Sequence, residues 1–266
     1  MKLLACQLSI NHVETIQSKQ EHVKRLIRII HKECYKNGPI DLIVLPELST
    51  ISYSQKAFQN LDQLAEPLYG ETYTQMASLA KAEKCYIAYG LPLVLNDAFT
   101  ISQVVIDPAG TIITHYCKIH LTSFGTPIET DFFQPGNDLS VFSIQDMTVG
   151  IVICYDFRFP CFINQMAKRF HIDLMIHPVA FSIDSTFNSW HHFAICRAIE
   201  NQQYWISLNR AGSQCGQSIF CYPWYDSQNN QKPFVFDSQE RCYVFDIDHS
   251  LLQTIRQTYP FFKDDI

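Results

Sequence analysis

Short apolar runs of strand length alternate with segments of helix length along nearly the whole chain, and this alternation limits the possible folds more than any other feature. Val23, Ile27 and Ile30 recur at the spacing of one helix face. Residues 107–110 (Asp-Pro-Ala-Gly) form a turn signal between two apolar runs and predict a hairpin. Elements that alternate in this way predict β-sheets covered by helices. The predicted helices span residues 14–35, 72–84, 159–171 and 187–202, and the predicted strands span residues 2–9, 42–45, 85–89, 101–106, 111–117, 139–144, 147–153, 174–177, 204–208, 218–222 and 241–246.

The apolar run at residues 149–153 stops abruptly at Cys154, and an aromatic, an acidic and a basic residue follow at once. We interpret this pattern as a buried strand that ends in a sharp turn leading into a helix. Such a turn exposes a thiol and directs free backbone N–H groups toward whatever reacts with it. A buried small side chain is the commoner role of a cysteine. Cys154 is therefore a candidate nucleophile that needs supporting residues elsewhere.

Two other segments supply such residues. Glu47 closely follows the apolar run at 42–45, and Lys118 interrupts a strand-like run just before a polar loop. A thiol needs a base to become a thiolate, and a cation stabilises a developing oxyanion. Considered singly, Glu47 could also cap a helix or face solvent, and Lys118 could be a surface lysine at a strand edge. Together with Cys154 they form a candidate catalytic set.

The order and strand-end placement of Glu47, Lys118 and Cys154 resemble the carbon–nitrogen hydrolase family, also called the nitrilase superfamily. The resemblance implies a four-layer α-β-β-α sandwich of two packed mixed β-sheets, with residues 1–266 as a single domain. It also implies a homodimer that pairs through the predicted helices 159–171 and 187–202. Further similar blocks occur at residues 1–8, 197–202, 209–212, 216–218 and 259–261.

The resemblance also implies roles for individual residues. Glu47 would take the proton of Cys154, which would attack an amide carbon and form a thioester that water then hydrolyses. Lys118 and the backbone N–H of Tyr155 would stabilise the oxyanion, and Glu129 would orient Lys118. The chemistry requires no metal or organic cofactor. Further candidates for the oxyanion or substrate site are Arg158, Phe181 and Tyr53.

Other interpretations of these residues remain open. Glu129 and Asp131 flank Thr130 in a polar segment, and either carboxylate fits a solvated position. Arg158 fits an ion-pair partner of Asp156 or Glu200 as well as a substrate-binding cation.

The segment 154–160 is most similar to the omega-amidase and Nit-type branch, which hydrolyses the terminal amide of small dicarboxylic acid monoamides such as 2-oxoglutaramate. Arg158 and Arg210 are candidates to bind the remote carboxylate, because a guanidinium meets a carboxylate bidentately. Ser189 replaces the histidine that many relatives carry before Trp190. How the part of the pocket wall near Trp190 packs without this histidine therefore stays open. Alternatives are amide hydrolysis of deaminated glutathione or of N-carbamoyl amines, acyl transfer, and a non-catalytic dimeric interaction protein.

Composition narrows the class of protein further. The net charge of −6 and the lack of a basic cluster argue against nucleic acid as a partner. The 10 cysteines are scattered without a CxxC pair or a secretory signal, which favours a cytoplasmic location without a disulfide framework. No apolar run is long enough to span a membrane. Clusters such as His115, Cys117 and His120 lack zinc-site spacing, so we expect no metal site. Residues 226–232 are predicted to form a surface loop.

Overall fold

The computed structural model describes residues 1–226 and 231–264 of the chain, except the side chain of Lys263. The helices are α1 (Ile16–Asn37), α2 (Gln55–Gln59), α3 (Leu61–Leu64), α4 (Glu71–Glu83), α5 (Pro160–Phe170), α6 (Phe187–Glu200), α7 (His249–Thr258) and α8 (Phe261–Asp264). The strands are β1 (Lys2–Gln7), β2 (Leu42–Val44), β3 (Tyr86–Leu95), β4 (Ala98–Ile106), β5 (Ile112–Cys117), β6 (Val141–Ile144), β7 (Met147–Ile151), β8 (Leu174–Pro178), β9 (Tyr204–Leu208), β10 (Ile219–Cys221), β11 (Phe234–Val235) and β12 (Arg241–Asp246).

The strands of the described ranges form two six-stranded sheets. The first has the order β12-β1-β2-β3-β4-β5, and the second has the order β11-β10-β9-β8-β7-β6. Both sheets are mixed, because β1, β2 and β3 pair in parallel, as do β7, β8 and β9, while the flanking strands pair antiparallel. The prediction of two mixed sheets with helices is therefore confirmed.

Strand alternation explains how the layers are filled. On β1, Leu3 and Ala5 join the large core that also contains Ile151 and Ile176 of the second sheet. Their neighbours on β1 point to the opposite face, as expected for a strand, and join a separate core with residues of α1 and α4. On the far side, α5 and α6 contact the second sheet. The layer order is thus helix, sheet, sheet, helix.

Local sequence signals account for the start and end of α1. Thr15 accepts a hydrogen bond from the backbone N–H of Ser18, while the Ser18 hydroxyl accepts one from the backbone N–H of Thr15, which makes a reciprocal cap. The helix ends at Asn37, and Gly38 caps it with a φ of 75° and a ψ of −162°, a conformation that essentially only glycine adopts. Val23, Leu26 and Ile30 lie on its buried face, so its amphipathic pattern determines how it packs.

Several predicted elements differ in extent from the structure. The predicted strand 85–89 continues to Leu95 as β3, and α2, α3, β11, α7 and α8 were not predicted. Of the predicted loop 226–232, residues 227–230 lie outside the described residues, and Asp226 pairs with Gln231 in an isolated bridge. A search of the described residues for a helix long and apolar enough to cross a membrane finds none.

Candidate active site

Glu47, Lys118 and Cys154 follow the ends of β2, β5 and β7, and the structure brings them into one buried cluster. Lys118 Nζ lies 2.9 Å from Glu47 Oε1 and 2.5 Å from Glu129 Oε1. The side chains of this lysine and both glutamates are 0% exposed. This burial excludes the alternative interpretations in which Lys118 lies on the surface and Glu47 or Glu129 faces solvent. Asp131, in contrast, is exposed.

The loop after β2 holds Glu47 by its backbone. Arg210 Nη2 donates to the carbonyl oxygens of Glu47, Leu48 and Ile51 at 3.0–3.1 Å. Leu48 adopts a φ of 45°, a left-handed conformation that the rest of the loop must stabilise. A Cβ at Gly90 would lie 2.6 Å from the backbone of this loop, so only glycine permits the close approach of β3.

Glu129 has three hydrogen-bond partners that fix its carboxylate. Besides Lys118, the Tyr53 hydroxyl donates to Oε1 at 2.7 Å, and the backbone N–H of Thr122 donates to Oε2 at 2.8 Å. These donors satisfy both oxygens of the buried carboxylate. Tyr53 thus reaches the cluster through Glu129, in addition to lining the adjacent cavity.

The turn at Cys154 matches the expected sharp exit from a strand. After β7 the chain enters a short 3₁₀ helix, Cys154–Arg158, and Cys154 itself has a φ of 46°. Asp156 stabilises this turn, because its Oδ2 accepts from the Ile153 backbone N–H at 3.0 Å and from the Tyr116 hydroxyl at 2.7 Å. Strain of this kind at a non-glycine residue concentrates at functional sites.

Burial and charge determine the protonation of the cluster. Burial, followed by the negative charge of Glu47, raises the pKa of Cys154 well above its ordinary value, so the resting sulfur is a thiol. Burial also raises the pKa of Glu47, against the opposing effect of Lys118. For Lys118, burial acts to lower the pKa, but the negative charges of the groups that it faces, Glu129 and Glu47 among them, raise it well above its ordinary value. The cluster therefore combines a neutral thiol, a cation and carboxylates.

One oxygen of the cluster lacks a partner. Among the described residues, Glu47 Oε2 is buried without a hydrogen bond. An orphaned buried carboxylate oxygen is unfavourable unless it serves another purpose. It can accept a proton from a nearby donor, which makes Glu47 suitable as a general base.

A cavity of about 380 Å³ opens onto Cys154. It is large enough for a small organic molecule. Its walls bring together the candidates Tyr53, Tyr155, Arg158 and Phe181. Four of the candidates for the oxyanion or substrate site therefore line this cavity, whereas the fifth, Arg210, is not among its lining residues.

Arg158 is half-buried in the cavity wall. Its Nη1 donates to the Ser189 hydroxyl at 2.8 Å and its Nη2 donates to the Thr186 carbonyl at 3.2 Å. Ser189, at the position of the missing histidine, thus helps to hold this arginine. Burial lowers the pKa of Arg158 from its ordinary value, without removing its charge near neutral pH.

The alternative ion-pair partners of Arg158 are bound to other residues. Asp156 accepts from Tyr116 and His120, and Glu200 pairs with Arg197 at 2.6 Å. The interpretation of Arg158 as an ion-pair partner of either acid is therefore wrong. Arg210 differs from Arg158, because it is buried and already donates to three carbonyl oxygens of the Glu47 loop. Its position favours a structural role for Arg210 over substrate binding.

Among the residues that sequence reasoning missed is a histidine beside the nucleophile. His177, on β8, donates a hydrogen bond from its Nε2 to the Cys154 carbonyl oxygen at 2.8 Å. A histidine within an apolar strand is usually a satisfied core residue, so its residue type gave no signal. No group of three or more potential metal ligands is found among the described side chains, including His115 and Cys117.

Comparison with known proteins identifies similar chains. The family model described as carbon-nitrogen hydrolase matches residues 3–232. The human omega-amidase NIT2 is 27% identical over 98% of this chain and 94% of its own length. The deaminated glutathione amidase of Dictyostelium discoideum is 26% identical over 97% of this chain and 92% of its own length. The crystal structure of Saccharomyces cerevisiae Nit3, a member of branch 10 of the nitrilase superfamily, superposes with a TM-score of 0.83 at 23% identity, covering 98% of this chain and 94% of that one.

Proposed function

The chain belongs to the carbon–nitrogen hydrolase family, and on this premise we propose that it hydrolyses a small-molecule amide to an acid and ammonia through a thioester on Cys154. The observation that carries this proposal is the buried cluster in which Lys118 lies 2.9 Å from Glu47 and 2.5 Å from Glu129, with Cys154 at the adjoining cavity. A thiol, a base and a cation at one cavity are the groups that acyl transfer from an amide requires.

The proposed acylation step follows from the charges. Glu47 accepts the Sγ proton, and the sulfur attacks the amide carbon. Lys118 and the Tyr155 backbone N–H stabilise the resulting oxyanion. Glu47 then returns the proton to the departing nitrogen, so that ammonia leaves and a thioester remains.

Water completes the proposed cycle. Glu47 takes a proton from the attacking water, the tetrahedral adduct collapses, and the thiolate recovers a proton as the acid departs. Glu129 keeps its contact with Lys118 throughout and holds the ammonium in place. Each proton taken up by Glu47 is returned within the same half-reaction, so the carboxylate is restored after each turnover.

We propose that the substrate is the omega-amide of a dicarboxylic acid monoamide, such as 2-oxoglutaramate. Arg158 supports this class, because a half-buried cation in the cavity wall suits a remote carboxylate. Two of its nitrogens bond to Ser189 and Thr186, which orients the guanidinium. The omega-amidases among the similar proteins are consistent with this choice.

Deaminated glutathione is a second candidate substrate. The Dictyostelium relative that bears this activity in its name is almost as similar as the human omega-amidase. The cavity of about 380 Å³ also leaves room for a longer molecule than succinamate. N-carbamoyl amines remain a less supported alternative, since they carry no carboxylate for Arg158.

The proposal is tested by measuring ammonia release from 2-oxoglutaramate, succinamate, deaminated glutathione, N-carbamoylputrescine and butyramide. Wild type and Cys154→Ala are compared on each compound. We expect wild type alone to release ammonia, fastest from an omega-amide, because the thioester step needs the sulfur. Equal release by both proteins would contradict the proposal. If intact-mass measurement detects acyl–Cys154 but no free acid forms, the enzyme transfers the acyl group to an acceptor other than water. If neither ammonia nor an acyl adduct appears with any amide, the protein is non-catalytic.

Arg158→Gln extends the same test to substrate selection. Butyramide matches succinamate in shape but has a methyl group in place of the carboxylate. We expect KM for succinamate to rise about 10–100-fold, from the loss of a charge-assisted contact, with KM for butyramide nearly unchanged. An equal change for both amides would show that Arg158 only shapes the wall.

We also propose the assembly and setting of the enzyme. Residues 1–266 would form one domain, and two copies would pair through α5 and α6, whose outer faces expose Cys161 and Cys196. The ten free cysteines support a cytoplasmic location. The acidic net charge of −6 supports small molecules and water as partners, in preference to nucleic acid or a membrane.

A further inference from the structure

A chain of three buried hydrogen bonds leads from α6 to the backbone of the nucleophile. Trp190 Nε1 donates to the Ser207 hydroxyl at 2.7 Å. The same hydroxyl lies 2.8 Å from His177 Nδ1, and His177 Nε2 lies 2.8 Å from the Cys154 carbonyl oxygen. The three side chains of this relay, Trp190, Ser207 and His177, are each 0% exposed. No step of the proposed amide hydrolysis yet uses them.

The chemistry of its members gives this relay one direction. An indole N–H is a donor only, so the Ser207 oxygen accepts from Trp190, and a carbonyl oxygen is an acceptor only, so His177 Nε2 must donate to Cys154. The ring of His177 then carries its proton on Nε2 and donates it to the Cys154 carbonyl. Burial lowers the pKa of His177 to about 3, so the ring is neutral and has a single N–H. Nδ1 is therefore unprotonated and accepts from the Ser207 hydroxyl, so the Cys154 carbonyl and Ser207 together fix the tautomer.

The held carbonyl belongs to the peptide group that also contains the Tyr155 N–H. In a trans peptide the C=O and N–H point in opposite directions. In the described part of the chain, the Tyr155 N–H donates to no backbone carbonyl outside its short helix, as expected in a first helical turn. Fixing the Cys154 carbonyl against His177 therefore fixes the direction of the Tyr155 N–H on the other side of the peptide plane. Polarisation of the carbonyl also strengthens the N–H as a donor.

We propose that His177 is a positioning residue for the oxyanion hole, which acts by holding the Cys154–Tyr155 peptide plane. The inference rests on the proposed amide hydrolysis, in which the Tyr155 N–H receives the oxyanion. The stack of His177 on Phe157, with centroids 4.7 Å apart, keeps the imidazole in the required plane. Ser207 supports this tautomer by donating to Nδ1, and Trp190 orients the Ser207 hydroxyl.

Three variants separate the hydrogen bond from the packing. His177→Phe keeps a flat ring against Phe157 but removes the donor, and His177→Gln retains an N–H that can reach the Cys154 carbonyl. Ser207→Ala leaves the imidazole in place but frees its tautomer. Tyr89→Phe is the matched control, because its buried hydroxyl has no hydrogen-bond partner among the described residues and lies on β3 of the other sheet.

Two probes of Cys154 distinguish the oxyanion hole from the thiol itself. Iodoacetamide alkylates the sulfur without forming an oxyanion. Succinic semialdehyde is the aldehyde counterpart of succinamate, and attack of the Cys154 sulfur on its aldehyde carbon forms a tetrahedral oxyanion. The affinity for this aldehyde is measured by how far it protects Cys154 against alkylation. Turnover of succinamate gives kcat and KM alongside both probes.

For His177→Phe we expect kcat to fall about 10–100-fold, less than the loss of an oxyanion donor itself, with KM and the alkylation rate nearly unchanged. Affinity for the semialdehyde falls by the same factor as kcat. His177→Gln recovers most of the loss, Ser207→Ala gives an intermediate loss, and Tyr89→Phe behaves as wild type. If His177→Phe does not fold, the other two variants decide by the same comparison.

Two results would overturn the inference. One is unchanged semialdehyde affinity in a folded His177→Phe protein, and the other is an alkylation rate that falls as far as kcat, which would indicate general distortion. Failure of the proposed function is a separate result: wild type would release no ammonia from any amide, while the two Cys154 probes would still compare the variants. The inference and the function are therefore tested independently.

Discussion

At the residue scale, the site depends on charges that are buried together. Lys118 faces two carboxylates, and removing such groups from water costs several kcal/mol per ion unless they are paired and hydrogen-bonded. The Tyr53 hydroxyl and the Thr122 N–H satisfy Glu129, whereas Glu47 Oε2 remains without a partner. Burial raises the pKa of Glu47, the less satisfied of the two carboxylates. This asymmetry assigns the base role to Glu47 and the positioning role to Glu129 in the proposed mechanism.

The acid limb of the pH–rate profile is expected to report Glu47. Burial raises the pKa of Glu47 above its ordinary value of 4.5. The carboxylate form acts as the base, so kcat/KM should decrease as the pH falls through this raised pKa. Glu47→Gln should lower kcat by about 10²–10⁴-fold and remove that limb. The control Glu240→Gln removes an exposed carboxylate and should change neither. A Glu47→Gln protein that retains the wild-type limb would show that another group is the base.

Residue type and position along the chain supplied three members of this site, and the family resemblance supplied Glu129. Glu47, Lys118 and Cys154 each stand where an apolar run ends, and strand ends are where loops place functional groups. Arg210 and His177 gave no comparable signal, because their contacts are to backbone carbonyls of residues far away in sequence. Such contacts depend on how the sheets pack against each other, and the pattern of a single segment of the chain does not predict that packing.

At the element scale, regular periodicity predicted the central strands and the long helices. α1 and β4 have clear apolar patterns and caps, so their predicted limits agree with the structure within a few residues. The short α2 and α3 have five and four residues, too few for a periodic pattern to emerge. α7 begins at a good N-cap, since the Asp248 side chain accepts from the backbone N–H groups of Ser250 and Leu251. Asp248 is therefore a sequence signal for the start of α7.

The loop between β9 and β10 acts on the loop after β2 through one side chain. Arg210→Lys should lower the free energy of unfolding by about 1–3 kcal/mol, because an ammonium cannot keep the geometry of three carbonyl contacts and leaves a buried acceptor unpaired. We also expect kcat to fall, since Glu47 loses its backbone support. Urea unfolding with an unchanged m-value measures the first effect.

Arg25→Lys is the matched control for this substitution. Arg25 pairs with Glu240 at the surface, with both side chains about one-third exposed, so the pair contributes little. If Arg25→Lys destabilises the protein as much as Arg210→Lys, the contacts of the Glu47 loop are not the cause.

At the scale of the whole molecule, the C-terminal segment ties the two sheets together. β12 is an edge strand of the first sheet, whereas α7 binds beside the second. Arg256 of α7 donates to Asp173 and to the Ile172 carbonyl, each at 2.7 Å, just before β8. The large core between the sheets draws residues from both of them. The relative placement of the sheets, and with it the meeting of Glu47 and Lys118 with Cys154, is therefore a property of the complete chain.

The outer layer of the sandwich leads to a prediction about assembly. On α6, Asn188, His192, Cys196 and Glu200 form an exposed stripe at four-residue spacing, and the proposed two-fold pairing would cover it. We expect wild type to elute at twice the chain mass of 30.8 kDa. Cys196→Arg should weaken dimerisation about 100-fold or more, because it places an unpaired charge in the interface. The control Gln17→Arg, on the exposed face of α1, should not. Light scattering over a concentration series measures both, and a Cys196→Arg protein that remains as dimeric as wild type would place the interface elsewhere.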